Sequence, residues 1–171
     1  MTLAEAKTQL RERSTDYDAE IMNLITEGRV YVEKMSGRAL VTQTRAMYLN
    51  GLYDSITIPH APLQSVSSIS YQDDNNATQT LSSSLYTVDA KSQPGVVARA
   101  YNQTYPSVYD DLNVVTITFV CGYGTREDVP DSYKAAIKLY VQWRFDHDPT
   151  SKELLDMLIS QGKIEWLELE N

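Results

Sequence analysis

Cys121 is the residue best suited to nucleophilic chemistry, because a thiolate attacks electrophilic centres once a neighbouring base activates it. The chain has this one cysteine and two histidines, His60 and His147. Cys121 ends a strongly apolar segment, where a small buried cysteine is the ordinary occupant. His60 precedes Ala61-Pro62 in a predicted loop, and His147 falls at a charged helix end. Since this spacing does not support a catalytic pair, the sequence predicts no catalytic residue.

Three oxygen-rich clusters could bind a cation, but their spacing fits other roles. Asp146-His147-Asp148 are consecutive at a predicted helix end, so their side chains diverge and indicate a solvated terminus. Asp73-Asp74-Asn75-Asn76 lacks the alternation, central glycine and distal glutamate of a calcium loop, and we interpret it as a hairpin turn. Asp110-Asp111 is a loop pair. The sequence shows no phosphate-binding loop, dinucleotide fingerprint, zinc spacing or hydrolase elbow, so we predict neither cofactor nor metal.

Composition indicates an acidic globular protein. The 171 residues are 42% apolar, which is the size and composition of a domain with a single core. The net charge is −8, from 15 basic and 23 acidic side chains. Such a chain gains nothing from counterion release, so tight electrostatic DNA binding is not expected. No apolar run approaches the roughly 20 residues of a membrane helix, and the N-terminus lacks signal-peptide features, so we expect synthesis in the cytoplasm.

Two helices are predicted before residue 40. The first spans 2–11, with Thr2 as N-cap and Glu5 completing a capping box. The second spans 16–36, starts after Ser14-Thr15-Asp16 and ends at Gly37. Its apolar stripe recurs at three- and four-residue steps and comprises Ile21, Leu24, Ile25, Gly28, Tyr31, Val32 and Met35.

Period-two patterning predicts short antiparallel strands over 40–120. Asn50-Gly51, Asp73–Asn76 and Pro94-Gly95 are predicted turns, the first as a tight hairpin. Residues 101–113 indicate a long loop. Residues 114–120 form the most apolar segment, which predicts a central strand.

The remaining chain predicts two more helices and a tail. A helix over 130–147 carries an apolar stripe that includes Tyr133 and Tyr140, and we expect it to pack against the second helix. Residues 151–160 predict a helix whose apolar face comprises Leu154, Leu155, Leu158 and Ile159. After Gly162, apolar and acidic residues roughly alternate, which is typical of an edge strand. Such a tail can pair within its own domain or bind a neighbour by strand addition, with Trp166 as anchor. We therefore predict an α+β fold, with a domain at 1–149 and a C-terminal helix and tail at 150–171.

Short motifs follow one another in a fixed order along residues 2–146. They are Leu3-Ala4-Glu5-Ala6-Lys7, Ser36-Gly37-Arg38-Ala39-Leu40, Ile56-Thr57-Ile58-Pro59, Val66-Ser67-Ser68-Ile69-Ser70-Tyr71, Gln79-Thr80-Leu81, Leu85-Tyr86-Thr87-Val88-Asp89, Ile117-Thr118-Phe119-Val120-Cys121-Gly122-Tyr123-Gly124, Val129-Pro130 and Trp143-Arg144-Phe145. In this order and spacing they resemble the motifs of the head–tail connector (adaptor) proteins of tailed bacteriophages and prophages, also described as DNA-packaging or head-completion proteins. Two departures are conservative: Tyr105-Pro106 stands where Trp-Pro is common, and Ser36 where threonine is usual.

The resemblance implies a non-enzymatic structural protein of the virion. It implies a small helical bundle with inserted β-strands, assembled as a ring of about twelve copies below the portal. The ring would extend the DNA channel, bind stopper or tail completion proteins, and let DNA pass without sequence-specific binding. Twelve tyrosines against two phenylalanines suit half-buried strand positions, and some of them are expected at subunit contacts that become buried on assembly. The predicted interface residues are Tyr101, Tyr105, Tyr109, Ile164, Trp166, Leu167 and Leu169.

Three alternatives stay open at this point. A phage stopper or tail-terminator protein is also small, β-rich and ring-forming, although such proteins less often begin and end in long amphipathic helices. A small cytoplasmic enzyme with an unrecognised site would require an ordered pocket that holds His60 beside Cys121. An acidic module that sequesters a basic host protein would be a stable monomer without affinity for a portal.

Overall fold

The fold is described for residues 1–162 in a computed structural model, and it comprises two compact units. The helical unit contains Met1–Leu40 and the described residues from Gly124 onward, and the strand unit is Val41–Tyr123. Antiparallel strands are thus inserted into the sequence of a helical bundle, which confirms the predicted α+β class. The division of the chain at residue 149 stays a prediction. Among the described residues, no helix is long and apolar enough to span a bilayer.

Helix α1 spans Leu3–Leu10 and begins with the predicted capping box. The Thr2 hydroxyl accepts a hydrogen bond from the Glu5 amide at 3.2 Å, and the Glu5 carboxylate accepts one from the Thr2 amide at 2.8 Å. These bonds satisfy two donors that a helix start otherwise leaves unpaired. Ala6 is buried and packs in one cluster with Ile21, Leu24 and Val141.

Helix α2 spans Asp18–Ser36 and begins two residues later than predicted. The reason is that Ser14 closes a turn instead of capping the helix: its hydroxyl accepts from the Asp16 amide at 3.1 Å and donates to the Asp16 carboxylate at 2.8 Å. The end at Gly37 is confirmed, since this residue has a φ of 70°. Met35 is 44% exposed, so its predicted place on the buried stripe is wrong, and Ser36 is buried instead.

Helix α3 spans Asp131–Asp146 and packs against α2, as predicted. Gly28 permits this contact, because a Cβ there would lie 3.0 Å from Cδ1 of Tyr140. Helix α4 spans Pro149–Gly162 and packs on α3. It buries Leu155, whereas Leu154 is 46% exposed, so the predicted apolar face of α4 is wrong at Leu154. Adjacent helix positions point about 100° apart, and only one of the two leucines can face the bundle.

The strand unit contains two antiparallel sheets. The order in the larger sheet is β1-β7-β3-β4, and in the smaller β2-β6-β5. Strand β7 lies between β1 and β3 and buries alternate residues, which confirms the predicted central strand. The strands are β1 Gln43–Leu49, β2 Ser55–Ile58, β3 Leu63–Gln72, β4 Thr78–Thr80, β5 Tyr86–Asp89, β6 Gly95–Arg99 and β7 Val115–Cys121.

The predicted hairpin at Asn50-Gly51 is wrong. Strand β1 pairs with β7 and β2 pairs with β6, so the two strands that flank this dipeptide belong to different sheets. The side-chain carbonyl of Asn50 instead accepts a hydrogen bond from the Asn113 amide at 3.0 Å, which ties the end of β1 to the start of β7. The turns at Asp73–Asn76 and Pro94-Gly95 are confirmed as the β3–β4 and β5–β6 connections.

Candidate partner-binding surface

The loop over residues 101–113 carries three of the predicted interface tyrosines and is anchored along its length. The Tyr109 amide donates to the Gln72 carbonyl at 2.9 Å, and the Ser107 hydroxyl donates to the Asp74 carboxylate at 2.9 Å. Both acceptors belong to the β3–β4 hairpin. The loop is therefore held on the strand unit at its middle, and its two ends continue from β6 and into β7.

Tyr101 is the most exposed of the three tyrosines. Its relative exposure is 97%, against 38% for Tyr109. The preceding Ala100 amide donates to the Leu85 carbonyl at 2.9 Å, and Asn102 has a φ of 57°, so the chain turns immediately after the ring. This turn presents the Tyr101 phenol to solvent without packing contacts that would stabilise the single copy.

Tyr105 has a different role, since it is half-buried. Burial raises the pKa of the Tyr105 phenol, and the neighbouring Asp54 and Tyr86 act in the same direction while Arg99 opposes them. Arg99 itself forms a salt bridge with Asp54 at 2.8 Å. Tyr105 therefore packs against the strand unit as a neutral phenol, and its ring contributes less free surface than Tyr101.

Two exposed tyrosines of the strand unit were missed as interface candidates. Tyr48 on β1 is 61% exposed and Tyr53 is 53% exposed. The available signal was the period-two alternation of β1, which puts Thr44, Ala46 and Tyr48 on one face. An aromatic side chain on the outer face of a strand is a candidate contact residue, because its burial gains free energy only when a partner binds.

The helical unit has an open groove of about 390 Å³ beside α2 and α3. Tyr140 donates from its hydroxyl to the Glu27 carboxylate at 3.4 Å, and burial raises the pKa of the Tyr140 phenol. Val30 is 50% exposed in this groove, so an apolar wall faces solvent there. The groove is lined by Thr26, Glu27, Val30, Tyr31, Lys34 and Tyr140.

The other predicted interface residues, Ile164, Trp166, Leu167 and Leu169, lie outside the described residues. Their role stays a prediction from the sequence.

The residues considered for nucleophilic catalysis occupy structural positions. Cys121 is fully buried at the end of β7, and its Sγ lies 3.7 Å from the Gln43 carbonyl, to which the thiol donates. Nε2 of His60 lies 3.4 Å from Nη1 of Arg45. Burial raises the cost of forming a thiolate, so Cys121 acts as a small apolar residue in the sheet.

The acidic clusters form turns and helix caps. The Asp148 carboxylate accepts from the Ser151 hydroxyl at 2.7 Å and from the Ser151 amide at 3.2 Å, which caps α4. The Asp73 carboxylate accepts from the Gln79 side chain and the Ala77 amide, and these bonds lower its pKa. Within residues 1–162, no group of three or more His, Cys, Asp or Glu side chains is arranged to hold a metal ion.

Comparison with solved structures finds this arrangement in phage-like particles. A chain in the neck of an empty gene transfer agent (GTA) particle, computed with C6 symmetry, superposes with a TM-score of 0.77 at 19% identity, covering 98% of this chain and 92% of that chain. A chain in the virion of the native particle gives 0.78 at 18% identity, with the same coverage. A chain in the native neck, computed with C12 symmetry, gives 0.74 at 19% identity and covers 97% and 90%.

The chain shares its fold with a neck component of GTA particles. This likeness extends over almost the whole length of both chains, and it confirms at the level of the fold the connector-type resemblance that the sequence motifs carry. No protein-family model matches the chain, and no curated protein matches it.

Proposed function

We propose that this chain is a head–tail connector (adaptor) protein of a tailed phage, prophage or related particle. It forms a ring below the portal, extends the DNA channel and binds stopper or tail completion proteins. The observation that carries this proposal is the likeness to chains in particle necks, which extends over 98% of this chain. Those necks were computed with C6 and C12 symmetry, which supports a cyclic assembly of about twelve copies.

The mechanism is geometric. In a closed ring, each copy binds the next head to tail, so one face must complement a different face of its neighbour. The chain offers candidates for such faces in each unit: the exposed Tyr101 and Tyr109 on the strand unit, and the groove at Val30 on the helical unit. Tyr105 in the same loop is half-buried and contributes less surface to such a face. We propose that these surfaces are buried between copies or against the portal.

The charge of the chain suits a DNA channel. A net charge of −8 disfavours tight phosphate contacts, so DNA would slide past an acidic wall without being trapped. The protein would be made in the host cytoplasm and reside at the head–tail interface of the virion.

The adaptor role is favoured over a stopper or tail terminator by the helical unit. In the part of the chain that the structure describes, α1 and α2 precede the strands in sequence and α3 and α4 follow them, and α2 and α3 contribute 19 and 16 residues. A structural role rather than an enzymatic one is supported by the placement of Cys121 in the core and of the acidic clusters in caps and turns.

The test is the native mass of the purified protein, alone and mixed with the portal protein encoded nearest to it. A ring of about twelve subunits, or assembly that requires the portal, supports the adaptor role. A chain that does not bind the portal protein but binds a tail completion protein would be a stopper or tail terminator. A monomer that binds neither would contradict the proposal.

A matched pair of variants connects this assay to the proposed surface. We expect Tyr101→Ala to weaken assembly without lowering the free energy of unfolding, because the ring is 97% exposed in the single copy. Gln103→Ala changes another exposed side chain of the same loop and serves as the control. Equal effects of the two substitutions would remove Tyr101 from the interface.

A further inference from the structure

Strand β1 is a long edge strand with an open side. It lies at the end of the β1-β7-β3-β4 sheet and pairs with β7 over all seven residues, from Gln43↔Cys121 to Leu49↔Val115. In an antiparallel edge strand, alternate backbone amides and carbonyls point away from the sheet. Among the described residues, no strand pairs with this outer side of β1.

The usual means of protecting a sheet edge are lacking on β1. Natural edges are shortened, bulged or lined with charges. The three other edge strands of the unit are short, with three residues in β4 and four each in β2 and β5. The β3–β7 pairing contains two register shifts, but the β1–β7 register is continuous. The charged residue of β1, Arg45, directs its guanidinium to the Gln43 side chain at 2.9 Å.

The second half of β1 is apolar on both faces. Ala46 and Tyr48 lie on the exposed face, and Met47 and Leu49 lie on the half-buried one. A strand that pairs with this part of β1 would therefore need apolar side chains on both of its faces, within a few residues of one another in sequence.

The nine residues after α4 have this pattern. In an extended conformation Ile164 and Trp166 share one face, and Leu167 and Leu169 share the other. Nine residues extend about 30 Å at roughly 3.3 Å per residue, which exceeds the length of the seven-residue β1. The segment contains three glutamates, whereas β1 contains no acidic residue and one arginine. The sequence of the tail thus matches β1 in length, in apolar pattern and in charge.

We propose that residues 163–171 of one copy pair with the open edge of β1 in a neighbouring copy of the ring. Main-chain hydrogen bonds supply affinity, and Trp166 packs on the face that carries Tyr48. This inference rests on the proposed ring assembly and names the contact that links its subunits. It turns an exposed edge, which would otherwise template aggregation, into a specific interface.

The test is cross-linking in assembled rings. Ala46→Cys chains are mixed with Glu168→Cys chains, because position 168 shares the face of Trp166 in an extended tail and Ala46 shares the face of Tyr48. A short bis-maleimide is added after ring formation. Native Cys121 is fully buried and present in every sample. The control mixture replaces Ala46→Cys with Thr87→Cys, which puts the thiol at an exposed position of β5, another edge strand. We expect a covalent two-chain product from the first mixture and background from the control.

Each outcome decides the proposal. Rings that form normally but give no product above the control overturn the β1 contact and leave the adaptor function intact. A further sample carries both cysteines on one chain and dilutes that chain among wild-type chains. If a cross-link forms only in this sample, and within the single chain, the tail pairs with its own copy and the proposal is wrong. A tail that cross-links to the portal protein, and not to β1 of a neighbouring copy, would also contradict the proposed contact. If the wild-type chain forms no ring with or without portal, the proposed function fails first.

Hydrogen exchange provides a second readout that requires no cysteine. Ring formation should slow exchange of alternate amides in residues 44–49, and Trp166→Glu should abolish that protection. The same substitution should weaken assembly about 30-fold, the factor for loss of an interface hot spot. Trp166→Phe should restore most of the affinity. Unchanged exchange of β1 between monomer and ring would refute the contact.

Discussion

Gly122, immediately after β7, has no room for a side chain. Its φ is +118°, a conformation that residues with a Cβ rarely adopt. A Cβ would lie 2.3 Å from the Val41 carbonyl oxygen and 2.9 Å from the Thr42 nitrogen. The backbone is fixed on both sides, since the Gly122 amide donates to the Pro62 carbonyl at 2.9 Å and the Gly122 carbonyl accepts from the Gln64 side chain at 2.8 Å.

Gly122→Ala should therefore be strongly destabilising. The positive φ costs roughly 1–2 kcal/mol for an L-residue. The contact with Val41 involves backbone atoms that cannot rotate away, and overpacking of this kind costs roughly 1–3 kcal/mol. We expect the free energy of unfolding to fall by about 3 kcal/mol, a large share of the roughly 5–15 kcal/mol of a typical domain.

Urea unfolding followed by far-UV circular dichroism measures this effect. The control is Gly51→Ala, because a Cβ at Gly51 meets nothing closer than the Tyr53 ring at 3.9 Å and its φ is not in the left-handed region. The control should change the free energy of unfolding by less than about 0.5 kcal/mol. If Gly122→Ala loses less than about 1 kcal/mol with an unchanged denaturant slope, the steric reasoning is refuted.

Three further expectations concern the helical unit. Leu155→Ala should cost roughly 2–5 kcal/mol because Leu155 is fully buried, while Leu154→Ala should stay within about 0.5 kcal/mol in the same urea experiment. Thr2→Ala should cost about 1 kcal/mol by removing the α1 cap, and an effect below the error of the measurement would contradict that role. The hydrogen bond from the Ser151 hydroxyl holds the pKa of Asp148 below its ordinary value of 3.8. The ionised Asp148 carboxylate therefore stabilises the fold above pH 3.8, and this stabilisation is lost as the pH falls through the pKa of Asp148 in the folded protein. Asp148→Asn should therefore lessen the acid-induced loss of stability, which an unchanged pH profile would refute.

The sequence predicted correctly those features that depend on interactions between residues close together in the chain. The capping box at Thr2 and the helix end at Gly37 depend on residues within one turn, and both are confirmed. The centrality of β7 also follows from its own composition, because only a strand with neighbours on both sides accommodates so many apolar residues.

The errors arose where a distant partner decides the outcome. Asn50-Gly51 has the residues of a tight turn, but β7, more than 60 residues later, pairs with β1 and separates it from β2. At Leu154 and Leu155 the sequence offers two equivalent apolar residues, and only the position of α3 determines which one is buried. The open edge of β1 was missed for the same reason, since an edge cannot be recognised until the sheet order is known.

Buried and exposed tyrosines contribute differently to the stability of the single copy. Tyr133 and Tyr140 are buried in the helical unit and stabilise the single copy, whereas Tyr48 and Tyr101 are exposed and do not. Burial of a large apolar side chain contributes about 2 kcal/mol, and the exposed rings can release that free energy only when a partner covers them. A cyclic ring repeats each contact in every subunit, so interfaces too weak to hold a dimer become sufficient when the ring closes. The exposed tyrosines are therefore candidates for the contacts of the proposed ring, and the buried tyrosines are not.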